Sequence, residues 1–271
     1  MKIAFVYQID DEHYWKDGLW AALKILEKDW QIDYFNLYFG ETYARFKDIQ
    51  EHDLCLVWGA LGSEQANFVV SLQDIKKGIC VGGGPVNHPN IHQFDIVFVE
   101  SPWYVKECRK LGVDAKLAFG TNTKLFKPIP NQSKLWKAIY PAAFAKWKRH
   151  KIFAEEWGKK GLAVGYMQPN NWEKECYEIC LKNGVTVLPR VMPEVLVWLY
   201  NASKLVHITA DLMGGGERTV LEGLACGLSV RVERDNPKLM ELLKINKKRL
   251  WTEEDYAQTL KKEIEEVIRD A

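Results

Sequence analysis

The residues with the clearest chemistry lie between His207 and Val230, in HITADLMGGGERTVLEGLACGLSV. Gly214, Gly215 and Gly216 let a backbone turn tightly and leave its N–H groups uncovered. Val220, Leu221, Leu224 and Ala225 then recur at helical spacing, so Glu217 falls at or near a helix start. Uncapped N–H groups and the positive end of the helix dipole make such a start a phosphate site. Arg218 and Thr219 share that first turn and are candidate members of the same site. Glu222 sits one to two turns in. A carboxylate there does not favour phosphates, but it accepts hydrogen bonds from a neutral ribose diol. The plainer reading of the stretch is a strand–helix junction. Its glycines would then only allow close packing, and Arg218 and Glu222 would be an ordinary i,i+4 pair.

Leu205, Val206 and Ile208 precede the glycines and suit a parallel strand covered on both faces. The rest of the chain supplies the company such a strand needs. Strands are expected at Lys2 to Gln8, Gln31 to Leu37, Asp53 to Trp58, Ile79 to Val81 and Phe94 to Val99. Helices are expected from Gly18, with Leu19, Ala22, Leu23 and Leu26 on one face, around Phe68 to Leu72, and over Trp103 to Leu111. The second half repeats the alternation, with strands at Ala138 to Phe144, Leu162 to Tyr166, Val185 to Leu188, Lys204 to Ile208 and Ser229 to Val232. Pro193 fits the first position of a helix, and Tyr256, Leu260, Ile264 and Val267 mark a terminal amphipathic one. Such alternation implies open parallel sheets, which bind ligands outside the carboxyl ends of their strands. In the first half those ends carry Gln8 to His13, Gly59 to Ser63 and Gly82 to His92.

TVLEGLACGLSV resembles the carboxy-terminal signature of retaining glycosyltransferases of the GT-B fold, the family-4-like group (glycosyl transferases group 1). Glu222, Gly223, Ala225, Gly227 and Val230 match its second glutamate and the residues that follow, with Ser229 where proline is usual. The signature's first glutamate would fall on Gly214, and the nearest carboxylate is Glu217. A second stretch, Leu117 to Pro128, resembles the family's inter-domain segment, with Gly120, Asn122, Phe126 and Pro128 in register.

The resemblance implies an α/β protein of GT-B architecture, two Rossmann-like domains facing across a cleft. An acceptor-side domain would cover 1–128 and a nucleotide-sugar-binding domain 129–271, with Pro128 to Ser133 as linker. It implies transfer of a sugar from a nucleotide-sugar donor with retention of anomeric configuration, and no bound catalytic metal or other cofactor. By the same resemblance Glu222 binds ribose, and the Gly214–Gly216 turn binds diphosphate. Either Glu217 takes the sugar contact of the missing glutamate, or that contact is absent. Lys146 and Lys151 have the spacing of the family's phosphate-binding pair, with lysine at Lys146 where arginine is usual. Arg190 lies on the turn that meets the nucleotide base. Of His13, His88 and His92, His88 is chosen as the first-domain histidine that touches the donor sugar. The partners implied are that donor and an acceptor whose class the sequence leaves open.

Two other readings compete. A sugar-nucleotide or glycan-binding module could keep the fold without the first glutamate. The segment Lys146, Lys148, Arg149, His150 and Lys151, interleaved by Trp147, could also be a nucleic-acid patch or a solvated basic helix start. The overall charge gives that patch no help, with 37 basic and 36 acidic residues in 271. No apolar run approaches membrane-spanning length and MKIAFVYQID does not suit a signal peptide, so a cytosolic protein is expected. Six cysteines form no CxxC pair. Cys176 and Cys180 are i,i+4 with no His or acidic pair arranged around them, which argues against a metal site.

Overall fold

The computed structural model describes residues 1–39, 46–82, 84–166 and 171–269. The chain forms two compact units, Met1–Gly120 with Thr252–Ala271, and Thr121–Trp251.

In the first unit β1 (Lys2–Tyr7), β2 (Gln31–Asn36), β3 (Leu54–Gly59), β4 (Lys76–Val81), β5 (Ile96–Val99) and β6 (Lys116–Leu117) make one sheet. Its order is β2-β1-β3-β4-β5-β6, and every pairing is parallel. Ile3, Ala4, Phe5 and Val6 are fully buried, which is why β1 reads as an unbroken apolar run. The helices are α1 (Gly18–Leu26), α2 (Phe46–Gln50), α3 (Glu64–Ser71) and α4 (Pro102–Lys110). Asp17 caps α1 by accepting the Trp20 N–H at 3.1 Å. The expected face of Leu19, Ala22, Leu23 and Leu26 is the buried one.

In the second unit β7 (Trp136–Pro141), β8 (Gly161–Val164), β9 (Thr186–Leu188), β10 (Ser203–Ile208) and β11 (Ser229–Val232) form a second parallel sheet, ordered β11-β10-β7-β8-β9. Its helices are α5 (His150–Trp157), α6 (Asn171–Lys182), α7 (Pro193–Asn201), α8 (Glu217–Ala225) and α9 (Pro237–Asn246). The chain enters at β7, runs outward through β8 and β9, then returns to β10 on the other side. The strand order therefore reverses between β7 and β10, and the crevice beyond their carboxyl ends is where such sheets hold ligands.

The terminal helix α10 (Glu253–Arg269) returns to the first unit. Its buried residues Tyr256, Ala257, Leu260 and Ile264 complete that unit's helical layer, and Tyr256 meets Phe119 edge-on at 6.2 Å. The division drawn at residue 128 from the sequence differs from this in two places. The terminal helix lies with the first unit. The segment from Thr121 onward lies with the second, because Asn201 donates to the Lys127 carbonyl at 3.0 Å and accepts the Ile129 N–H at 2.7 Å. Phe126, buried against Tyr200, anchors the same stretch. The strand expected to reach Phe144 stops at Pro141. The chain then leaves the ladder to form the wall described below. Gly83, within the expected Gly82–Pro85 turn, lies outside the described residues.

Candidate functional site

Two segments meet at the reversal point of the second unit, 142–149 after β7 and 209–216 after β10. They are stitched together by polar contacts. The Trp147 carbonyl accepts the Asp211 N–H at 2.9 Å. The Lys148 carbonyl accepts the hydroxyls of Tyr140 and Thr209 at 2.9 and 2.8 Å. Arg149 donates to the Thr209 carbonyl at 2.6 Å, to the Ala210 carbonyl at 3.2 Å and to the Asp235 carboxylate at 2.8 Å. Asp235 holds the Arg149 guanidinium above its ordinary pKa by that hydrogen bond. Arg149 sits in the left-handed region, φ 51° and ψ 46°, a conformation that costs a non-glycine residue about 1 kcal/mol or more. Its side-chain bonds offset that cost and turn the chain sharply into α5.

The Gly214–Gly216 turn rests on this wall. Gly214 has no room for a side chain. An added Cβ would lie 2.7 Å from the Trp147 carbonyl oxygen and 2.9 Å from Ala210 Cβ. Two lysines hold the turn's carbonyls. Lys148 Nζ donates to Gly215 at 2.7 Å, and Lys238 Nζ to Gly214 at 3.3 Å. Lys238 is fully buried and its ammonium stands 2.7 Å from Glu217 Oε1, in an ion pair outside hydrogen-bond angles. Glu217 Oε2 accepts the Gly216 N–H at 2.7 Å. Gly216 is the residue before α8 and supplies no side-chain cap. The first turn of a nine-residue helix therefore lacks that cover for its N–H groups.

The cations Lys148, Lys238 and Arg218 act here against the carboxylates Glu217 and Asp211, which leaves the surroundings of the turn positive. Burial pushes Lys148 down to about 8, only partly offset by Glu217, with Lys238 and Arg218 pushing the same way as burial. A phosphate at the turn would relieve that repulsion and meet the helix dipole.

The structure brings several of the expected residues together here. Glu217 opens α8, where the sequence placed a helix start, but both its oxygens are engaged inside the unit. Thr219 is buried and donates to the Pro141 carbonyl at 3.2 Å. Glu222 is 8% exposed and accepts the Tyr200 hydroxyl at 2.9 Å. Arg218 is exposed on the first turn, and Arg190 is half-buried just past β9.

The expected cation pair is placed differently. Lys146 is exposed, and Lys151 is 67% exposed with its ammonium 3.8 Å from Glu155 on the same helix. Lys148 and Arg149 are the members of that cluster that reach the 209–216 segment. Lys148 could have been singled out only from the cluster, and Lys238 had no local signal at all.

His88 belongs to the first unit. It precedes the short 3-10 turn Pro89–Gln93, and its Nδ1 accepts the Asn90 N–H at 3.2 Å. A neutral ring so held carries its proton on Nε2, which faces Gly62 and is therefore a donor. His13 is exposed and pairs with Asp11 at 2.8 Å. Among the described residues, no three His, Cys, Asp or Glu side chains are placed to hold a metal, and no helix is long and apolar enough to cross a membrane.

No protein-family profile matches this chain. No curated protein matches it significantly either. Solved structures do match. AviGT4, a glycosyltransferase involved in avilamycin A biosynthesis, superposes with a TM-score of 0.72 at 11% identity, over 100% of this chain and 99% of its own. Anabaena HepE in complex with UDP and glucose gives 0.64 at 14% identity, over 100% and 98%. UDP-GlcNAc 2-epimerase from Neisseria meningitidis, bound to UDP-GlcNAc, gives 0.51 at 11% identity over 100% of both chains. With two parallel sheets in two Rossmann-like units and these full-length superpositions, the chain has the GT-B fold.

Proposed function

We propose that this protein is a glycosyltransferase that moves a sugar from a nucleoside-diphosphate sugar to an acceptor, with retention of anomeric configuration. The observation that carries the reading is the positively charged glycine turn at the start of α8, at the reversal point of the second sheet. The donor's diphosphate binds the turn and the helix start. Lys148 meets the negative charge that grows on the leaving group as the glycosidic bond breaks. Glu222, oriented by Tyr200, accepts from the ribose diol. Arg190 lies by the base.

The acceptor oxygen attacks from the face the diphosphate leaves. Its proton passes to a departing phosphate oxygen, so no protein nucleophile is required. Uracil donors are the first to test, because the HepE structure holds UDP and glucose. Glu217 in this reading braces the turn rather than touching the sugar.

A second reading is a sugar-nucleotide-binding module, or an epimerase that keeps the nucleotide attached. It is favoured by Gly214 standing where the resembling family has a carboxylate and by the engagement of Glu217 with Lys238. Incubation with a panel of nucleotide sugars separates the readings. A transferase without its acceptor slowly passes the sugar to water and releases the nucleoside diphosphate. A sugar epimerised while still bound to nucleotide supports the epimerase, and binding with neither change supports the module.

A further inference from the structure

The loop after β11 carries none of the residues expected to bind the donor, yet it grips the phosphate turn and its wall. Asn236 is fully buried. Its amide donates to the Ala210 and Asp211 carbonyls at 3.1 and 2.8 Å, and its Oδ1 accepts the Leu239 N–H at 3.1 Å. Lys238, two residues on, donates to the Gly214 carbonyl. Just before them, Asp235 takes the Arg149 guanidinium through both of its carboxylate oxygens.

Asp235 is 62% exposed, and an exposed ion pair is ordinarily worth little. This one closes on a constrained residue. Arg149 is left-handed, ends the 3-10 turn Lys146–Lys148 and precedes α5. Its guanidinium also donates to the Thr209 and Ala210 carbonyls. Lys148 directly precedes it and reaches the Gly215 carbonyl. Loss of the carboxylate would take away part of what offsets the left-handed backbone between Lys148 and α5. Resting on the function proposed above, we propose that Asp235 is a positioning residue for the donor diphosphate. It touches no substrate. It holds Arg149, Arg149 holds the turn, and the turn presents the Lys148 ammonium to the leaving group. The sign of its effect separates this role from plain electrostatics. A carboxylate near an anion site repels the anion, so by charge alone its removal would tighten nucleotide binding. A positioning carboxylate gives the opposite result.

Calorimetric titration of UDP into wild type, Asp235→Ala, Asp235→Asn, Lys148→Met and the double variant Asp235→Ala with Lys148→Met tests this, with a melting temperature for each protein. Asp235→Ala should weaken UDP about three- to tenfold, and Asp235→Asn, which keeps the shape and loses the charge, should weaken it less. In the Lys148→Met background the alanine change should alter UDP affinity less than about twofold, because it acts through Lys148, while its effect on melting temperature should be the same in both backgrounds. Unchanged or tighter binding in Asp235→Ala, or equal weakening in both backgrounds, would overturn the proposal. Wild type that does not bind UDP, or Lys148→Met that binds it like wild type, is a separate failure, that of the donor site itself, and removes the proposal with it.

Discussion

The Lys238 ammonium lies 2.7 Å from Glu217 Oε1, and the two side chains are 1% and 3% exposed. The pair sits under the glycine turn, with Lys238 also donating to Gly214 and Glu217 accepting from Gly216. Removing one partner strands the other's charge in a water-free place. Glu217→Gln should therefore lower folding stability by about 3–5 kcal/mol, the range for breaking a buried pair. The double change Glu217→Leu with Lys238→Met should cost much less than the two single changes added together. Urea denaturation of Glu217→Gln, of the two single changes and of the double change checks this. A stable Glu217→Gln that loses only turnover would return Glu217 to the sugar.

Burial and neighbouring cations bring Lys148 down to about 8. A diphosphate favours the ammonium form, so binding should take up a proton near that pH, and nucleotide affinity should fall as pH rises past 8. In the free protein the shift acts on stability. The unfolded chain holds the proton more tightly, so stability should rise between about 8 and 10.5, the ordinary value. Titrations of UDP in buffers of different ionisation heat read the proton uptake directly. An affinity flat from pH 7 to 9 would contradict it.

His150 is fully buried, stacked on Phe144 at 4.6 Å and tilted against Tyr140 at 5.0 Å, and neither ring nitrogen has a hydrogen-bond partner. Burial pushes its pKa down to about 3 from 6.5. The folded state thus holds the ring neutral. Its contribution is intact above pH 6.5 and is lost as pH falls from there toward 3. His150→Phe removes two unsatisfied nitrogens from an aromatic slot. It should raise stability by about 1–3 kcal/mol at neutral pH and by more at pH 5. Thermal melts of both proteins at the two pH values measure this, and a destabilised variant would show that the slot needs the imidazole.

Glu222 accepts the Tyr200 hydroxyl inside the second unit. Two roles for it separate cleanly. If it also receives the ribose diol, Glu222→Gln should weaken UDP by about 1–3 kcal/mol, the range for a hydrogen bond to a charged group. Tyr200→Phe should then weaken UDP less, because it only frees the carboxylate to turn. A Glu222→Gln protein that melts lower yet binds UDP normally would make Glu222 a packing residue.

Much of this arrangement can be read before folding. The glycines and the helical recurrence after them place the start of α8 at Glu217, and the alternating stretch from Ser229 to Val232 is β11 as expected. These are local signals, carried by backbone freedom and periodicity. The cations are not local. Lys146 and Lys151 have an attractive spacing, but the 3-10 turn and left-handed Arg149 rotate the chain so that Lys148 faces the glycines. Lys238 arrives from α9, and only tertiary packing brings it to Glu217. The terminal helix shows the same limit. Tyr256, Leu260 and Ile264 announce a buried face, but not that it would be buried in the first unit.

The account rests on the donor diphosphate meeting Lys148 at the glycine turn, and calorimetric titration of UDP into Lys148→Met and Lys151→Met tests it most directly. Lys148→Met should weaken UDP by about 1–3 kcal/mol, as for a charge-assisted contact, while Lys151→Met, which alters an exposed residue beside Glu155, should bind UDP like wild type. Equal affinities in both variants and wild type, or a loss confined to Lys151→Met, would contradict it.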